Sequence, residues 1–402
     1  MTISRTATRV LQLAAFLSLA LAFTSVCEAT SFYVFDRDGD DSRTSTQAQS
    51  RRTAWKTIQR AMDVAGPGDE VIVMNGRYEE NVLFRRGGSA GAPLVLRAEV
   101  REGVRLIGSI ASYGINYISV EGFYLTNLSR TGLTKGISLN GGHHVTVRNN
   151  RVRSCAGGGI SIDQCDWILI EWNITHHNAY WDPAQHSGIS VYQPQQRGED
   201  SGYWGIQIRN NTSYSNLNRL DNVNFGRPTD GNGIVVDDFL NQQPGGAEPY
   251  DRPTVIENNL CFENGGQGIH CYLSQNVDIR NNTCVNNLRS FTFGGEITIG
   301  ESNRVYVYNN ILSPRPRRRA ALQYLSSSFW LGFNIVDGEA DGFSFDSTNQ
   351  YTSPQFEPGS YELRANSPGV DDGLDVSGHY FLDLFGRNRF NGNIDIGAME
   401  RQ

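Results

Sequence analysis

Lysine is almost missing from this 402-residue chain: it occurs twice, at Lys56 and Lys135. Charged residues make up only 19% and the formal charge is −7, so no basic surface is expected and nucleic acid is not an expected partner. The cysteines never form a CxxC pair, which removes the usual signature of a structural zinc site. Beyond residue 30 no apolar run approaches the roughly 18 residues needed to cross a bilayer, so no membrane span is expected. Proline is scarce at 13, whereas glycine is frequent at 43 and asparagine recurs throughout. Such a chain is too ordered for disorder and too rich in Gly and Asn for helices, and favours a β-rich fold with many tight turns.

Met1–Ala29 reads as a secretory signal, with Arg5 and Arg9 at its basic start, Val10–Phe23 as the apolar stretch and Cys27-Glu28-Ala29 at the cleavage point. The expected location is secreted or periplasmic. Cys155, Cys165, Cys261, Cys271 and Cys284 then remain, an odd number that requires a free thiol or an intermolecular bond.

An internal repeat organises the rest. VTVRNNRV (145–152), ILIEWNIT (168–175), IQIRNNTS (206–213), TVIENNLC (254–261), VDIRNNTC (277–284) and VYVYNNIL (305–312) alternate apolar and polar residues with period two. Each places an asparagine at the same point: Asn150, Asn173, Asn211, Asn259, Asn282 and Asn310, with gaps of 23, 38, 48, 23 and 28 residues. A second short strand opened by Gly-Ile recurs between them at 136–139, 159–162, 188–191, 233–236 and 268–271. A coil of about 23 residues fits a solenoid of short parallel strands, in which identical residues stack about 4.8 Å apart. The asparagine column is expected to bond the backbone of neighbouring coils, making the sequons at Asn173, Asn211 and Asn282 packing positions. Cys261 and Cys284 share one column and are expected as stacked buried thiols.

The chain resembles right-handed parallel β-helix proteins of the pectate-lyase-like superfamily. AWKTIQRAMDVAGPGDEVIVMNGRYEENV (54–82) resembles their capping helix and first coil, and SPGVDDG, DLFGRN and IDIGAME (367–400) resemble their closing segment. The resemblance implies an all-β fold, a right-handed parallel β-helix over 30–402, with a cap helix at 53–65 and a C-terminal closing segment at 360–402. It implies a carbohydrate-active protein, since the superfamily holds lyases, hydrolases, epimerases and binding proteins; fold alone does not choose among them. One cooperative solenoid is expected, and a monomer.

Excess sequence in the two long gaps lies in Asn178–Ala184, Gln193–Tyr203, Asn218–Thr229 and Asn241–Pro253. These inserts flank the strands at 188–191 and 233–236 and are expected to wall a cleft there. They or their margins carry Tyr180, Trp181, Tyr203, Trp204 and Tyr250, flat amphipathic surfaces suited to sugar rings. Strand parity turns Ile189, Val191, Ile234, Val236, Ile269 and Cys271 inward. The outward column then runs Ser161/Asp163, Ser190/Tyr192, Val235/Asp237 and His270/Tyr272, with His186 and Asp230 joining from the preceding turns.

The expected chemistry is β-elimination from a uronate-containing polysaccharide, which needs a base at C5, an acid at the leaving oxygen and a neutralised carboxylate. His186 or His270 is the candidate base, with Tyr192 or Tyr272 as acid. Asp230, Asp237 and Asp238 could hold Ca²⁺, and Trp181, Tyr180, Trp204, Tyr203, Asp163 and Arg227 are candidate substrate contacts. TDGNGIVVDDF resembles the Asp-rich coil of calcium-dependent pectate lyases, but the next coil, GGQGIHCY, offers His270 instead of an aspartate. His270 and Asp237 are expected as neighbours about 5 Å apart, the carboxylate raising the imidazole pKa. The alternatives are hydrolysis by paired carboxylates such as Asp230 and Asp237, a uronate epimerase (YWDPAQH resembles its Tyr/Asp/His site with altered spacing), or a non-catalytic carbohydrate-binding solenoid.

Overall fold

The computed structural model describes residues 29–402 apart from Leu133, Ser201, Val223, Phe291, 376–379 and Asn391, so the signal segment up to Glu28 lies outside the described residues. Those residues wind into three parallel sheets of 11, 10 and 10 strands. Sheet 1 runs from Ser31–Val34 to Ser327–Gly332, sheet 2 from Gly76–Glu79 to Ile335–Val336, and sheet 3 from Val82–Phe84 to Ala340–Asp341. One coil shows the order: His143–Arg148 in sheet 1, Arg151–Arg153 in sheet 2, Ile160–Asp163 in sheet 3. The right-handed parallel β-helix expected from the repeat is the observed fold.

Parallel register stacks like on like. Ile137, Ile160, Ile189, Ile234, Ile269 and Ile297 form one inward column of sheet 3. Leu139, Ile162, Val191, Val236, Cys271 and Ile299 form the next, and both columns are fully buried. Cys261 pairs with Cys284 in sheet 2, and all five described cysteines are free and buried.

Between sheets 1 and 2 the chain turns through two residues. The first takes a left-handed conformation, tolerated by Asn at 149, 210, 258, 281 and 309 but also adopted by Trp172 and Phe333. The second is the expected ladder asparagine. Asn173 Oδ1 accepts both the backbone N–H and the side-chain amide of Asn150, at 3.0 and 3.1 Å, and the pattern repeats through Asn211, Asn259, Asn282 and Asn310. It continues to Asn334 and Asn349 beyond the predicted set. The sequon asparagines are therefore interior groups, 0% exposed.

A second ladder, missed in the sequence, lines the turn from sheet 2 to sheet 3. Asn178, Asn216, Asn264 and Asn287 repeat the same double bond. It ends on Glu296, whose carboxyl accepts from the backbone and side-chain amides of Asn287. Burial pushes Glu296 up to about 8.

The N-terminal cap differs from expectation. The α-helix spans only Ile58–Met62, opened by Thr57, whose hydroxyl accepts from the Arg60 N–H. Upstream, Ala54 is extended and Trp55 bridges Val34, because a first strand, Ser31–Val34, needs a partner at its outer edge. Trp55, Ile58, Ala61 and Met62 are nevertheless all fully buried, so the apolar pattern marked the buried face and not the helix length. At the other end the 360–402 segment does not stop at the last coil. It runs back as a strap along the turn asparagines: Asn309 donates to Leu374 O, Asn281 to Asp395 O, Asn258 to Leu382 O, and Asn210 to Asp383 O.

Glu296 yields a stability prediction with a definite sign. Its pKa is higher folded than unfolded, so its contribution is complete below the usual carboxyl range and is lost as pH rises towards 8. Glu296→Gln, whose amide oxygen can accept both Asn287 bonds as the ladder asparagines do, is expected to melt higher than wild type at pH 8 and to flatten the slope of Tm between pH 5 and pH 8. Parallel melting curves across that range check it.

Candidate functional site

Sheet 3 gathers most of the predicted side chains on its outer surface. Asn140, Asp163, Tyr192, Asp237, Tyr272 and Gly300 are register neighbours on successive strands. Ser161, Ser190, Val235 and His270 form the parallel outward column. His186 and Asp230 come from the turns that precede their strands; the His186 side chain lies beside Ser161, the two flanking Gly158, and the charges of Asp182 and His186 act on Asp230 as that of Asp230 acts on Asp237.

Burial moves these groups strongly. Asp230 is pushed up to about 6 by desolvation, although Thr229 Oγ1 (2.9 Å) and Asn232 Nδ2 (2.8 Å) donate to its carboxylate. Asp237 is pushed well above the usual carboxylate range, first by burial and then by the charges of Asp230 and Asp238. Gln243 Nε2 donates to it at 2.9 Å. The Tyr192 and Tyr272 hydroxyls rise to about 12 by burial, with nearby carboxylates adding to the effect. Tyr272 donates to Glu301 at 3.2 Å.

His186 has a partner the sequence list omitted. Its Nδ1 lies 2.8 Å from buried Asp182, which also accepts the His186 backbone N–H at 3.0 Å. Desolvation opposes the charge on Asp182, but the bonds from His186 hold its pKa below the usual value. Asp182 lies in YWDPAQH, so the i, i+4 spacing to a histidine was available as a signal. Tyr324 was also missed. Its coil lacks the Gly-Ile opening, yet it pairs with Gly300 and feels Tyr272, Asp230 and Asp237. A Cβ on Gly300 would come within 2.4 Å of the Tyr324 ring, so the absent side chain makes room for that ring.

Several expectations fail in detail. Asp237 pairs with Tyr272, and His270 with Val235, so His270 and Asp237 are diagonal and not adjacent. Burial alone drives His270 down to about 4 and no carboxylate raises it. Both its ring nitrogens are buried with no protein partner. Asp238 does not face the cleft: in a left-handed conformation, it accepts from the backbone of Gln242 and Gln243 and from Gln193 Nε2. The proposed Asp230, Asp237, Asp238 set therefore does not converge as a calcium cage, and among the described residues no three His, Cys, Asp or Glu side chains gather to hold a metal. Lys135, one of the two lysines, binds Asp163 at 3.0 Å.

The inserts reach this cleft through Asp182, Thr229 and Gln243, but Tyr203, Trp204 and Tyr250 lie elsewhere. Asp166, fully buried, accepts from Arg197 N, Tyr250 Oη and Arg252 Nε, and so draws the 193–203 and 241–253 inserts towards the edge of sheet 1. Tyr250 is buried there, and Trp204 lines a hollow on sheet 1 with exposed Tyr203 packed edge-on against it at 4.8 Å. Tyr180 lines a separate hollow beside His177 and Arg219, Trp181 lies under Arg130 at 4.3 Å, and Arg227 sits on an exposed loop closed by its bridge to Asn222.

The resulting arrangement defines a parallel β-helix whose polar cleft lies across one sheet. The family description "Right handed beta helix region" matches residues 107–201 and 135–328, together more than half of the chain, and the chain belongs to that family. Among solved structures it is similar to pectate lyase Pel9A, at 16% identity and a TM-score of 0.52, covering 93% of this chain and 98% of that one. It is also similar to a rhamnogalacturonan lyase (14%, TM-score 0.46, 78% and 90% covered) and to XylC in complex with xylose (10%, TM-score 0.45, 93% and 98% covered). The likeness to pectate lyase Pel9A shows the shared fold. No curated protein matches the chain.

The state of His270 is directly measurable. A ring resonance titrating near pH 4, and unaffected by Asp237→Asn, is the expected NMR result; a midpoint above 6.5 would restore the carboxylate pairing rejected above.

Proposed function

We propose that the sheet 3 cleft is the active site of a carbohydrate-active enzyme that hydrolyses glycosidic bonds. Asp237 is the proton donor and Asp230 the ionised partner. One observation carries the reading: two carboxyls lie in the same cleft, Asp230 pushed up to about 6 and Asp237 raised well above the usual carboxylate range by burial and by the charge of Asp230. Two acids held apart in protonation are what glycoside hydrolysis needs, one to protonate the leaving oxygen and one to act as base or nucleophile. Around them lie unpartnered polar atoms on the outward columns, Ser161 Oγ, Asp163 Oδ1 and the His270 nitrogens. Sugar hydroxyls, which both donate and accept, would satisfy such a row. Neutral His270 then serves as a hydrogen-bonding group to substrate, not as a charged acid.

Elimination from a uronate polymer is the second reading, favoured by the Asp182–His186 pair. Asp182 fixes the imidazole through Nδ1, which leaves Nε2 to take a proton. Against it stands the charge balance: the cleft is lined by Asp163, Asp230 and Asp237, and Lys135 is occupied by Asp163. Calcium supplies no step in either reading. Export through Met1–Ala29 and action as a monomer complete the proposal.

Incubation with a polysaccharide panel separates the readings: new reducing ends without unsaturated-uronate absorbance mean hydrolysis, and both together mean elimination. On the true substrate, Asp237→Asn and Asp230→Asn are each expected to reduce kcat by about a hundredfold or more. Their Tm should equal or exceed wild type at pH 8, because each removes a carboxyl that burial disfavours. The acid limb of kcat/KM should rise through about pH 6 as Asp230 ionises. Wild-type turnover in both variants would remove this cleft from consideration.

A further inference from the structure

Sheet 1 carries a column of alternating charge. Arg97, Glu121, Arg148, Glu171, Arg209, Glu257 and Arg280 are register neighbours on seven successive strands, alternating in sign. Arg209 binds Glu171 and Arg280 binds Glu257, each at 3.0 Å. That later part of the row is covered: Arg209 lies under Tyr380 of the C-terminal strap at 3.9 Å, and Arg280 under Trp204 at 5.3 Å. At Glu121 and Arg148 the row opens into a cavity of about 450 Å³, within the range of small-molecule sites.

The cavity is built for a polar, flat-faced ligand. One wall is a stack of Tyr117 on His144 (4.5 Å, 21°) and His144 on Trp167 (5.8 Å, 30°), continued by Arg252 over Trp167 at 4.5 Å. Trp204, carried by the first long insert, forms another wall. Asp200 of that insert fixes the stack through His144 Nε2 at 3.1 Å. Two donors in the lining have no partner: Nε1 of Trp167, whose side chain is about nine-tenths buried, and Nε of Arg148, whose Nη2 is already engaged by Glu121 at 3.0 Å. Buried donors without acceptors mark a place where a ligand supplies them. Glu121 and Asp200 disfavour an anion, whereas hydroxyl groups can accept from the two donors and donate to the carboxylates.

We propose that this hollow is a second saccharide-binding site, taking a neutral glycosyl unit on a sheet other than the one that carries the cleft. The choice of a saccharide rests on the carbohydrate reading of the cleft; the neutral charge rests on the hollow itself. Ligand running along the solenoid axis would meet Ser119, Thr146 and Gln207 on neighbouring coils. A site of this kind holds a polymer to the enzyme while the cleft acts on another part of it, which raises the effective concentration of cleavable bonds.

The test uses the mature chain carrying Asp237→Asn, titrated with xylotetraose, cellotetraose, mannotetraose and tetragalacturonate while tryptophan fluorescence is followed. At least one neutral tetrasaccharide is expected to bind, and Trp204→Ala and Trp167→Phe are each expected to weaken that binding tenfold or more at unchanged Tm. If Trp204→Ala lowers Tm, the near-isosteric Trp167→Phe, which removes only the indole donor and part of the ring, decides. Absence of binding by every neutral probe, or unchanged affinity in Trp167→Phe, would overturn the proposal. Turnover does not enter the readout, so failure of hydrolysis at the cleft would leave a positive result here standing.

Discussion

From Asn150 onward the solenoid depends on the amide hydrogen bond that each coil makes to the next through asparagine. A two-residue turn leaves backbone donors and acceptors pointing along the axis, where burial forbids water. An asparagine at the second position satisfies them and repeats the arrangement one coil up, from Asn150 to Asn349. Each such bond contributes only about 0.5–1.5 kcal/mol net, but an unmatched buried amide costs about 1–3 kcal/mol, so the column tolerates no gap. The sheet 2 to sheet 3 turn uses the same solution until Glu296 replaces the amide with an acid that stays protonated because it is buried.

A stack fixed in this way converts sequence spacing into surface columns. Because register is parallel and in phase, an outward side chain on one strand of sheet 3 lies beside its equivalent on the next. Asp230 and Asp237, from the turn and strand of one coil, are thereby held together in a poorly solvated cleft. Their pKa values rise for two reasons that reinforce each other, lost hydration and like charge. The same principle on sheet 1 gives the opposite outcome, since alternating Arg and Glu neutralise each other along the column. One face is therefore left with an excess of acid groups and the other with a nearly balanced row that opens into the hollow beside Trp204.

The inserts show how a solenoid separates stability from surface. They interrupt the repeat without disturbing either ladder: Asn173 to Asn211 and Asn211 to Asn259 bond as well across 38 and 48 residues as Asn259 to Asn282 does across 23. Their own position is decided by a single buried carboxylate, Asp166, which binds the backbone of Arg197 and the side chains of Tyr250 and Arg252. The strap at 374–395 adds a third layer, tying turns of four coils together from outside.

The repeat, the ladder, the inward columns and the outward set Asp163, Tyr192, Asp237 and Tyr272 were legible in the sequence, because period-two alternation and a fixed asparagine are local properties that stacking preserves. Asp182 beside His186 was legible in part, from the i, i+4 spacing within YWDPAQH; the loop-bound Asp238 and the Lys135–Asp163 pair were not, since each depends on a side-chain direction set by turn geometry rather than by strand parity. Trp204 and Tyr250 were correctly placed in inserts but assigned to the wrong face, because the buried Asp166 that redirects those loops lies 31 to 86 residues away from the groups it binds. The sequence by itself determined the coil and which side chains point out of it; only the tertiary structure decided which of those share a desolvated cleft, where long-range electrostatics and loop anchoring act between residues that no spacing rule connects.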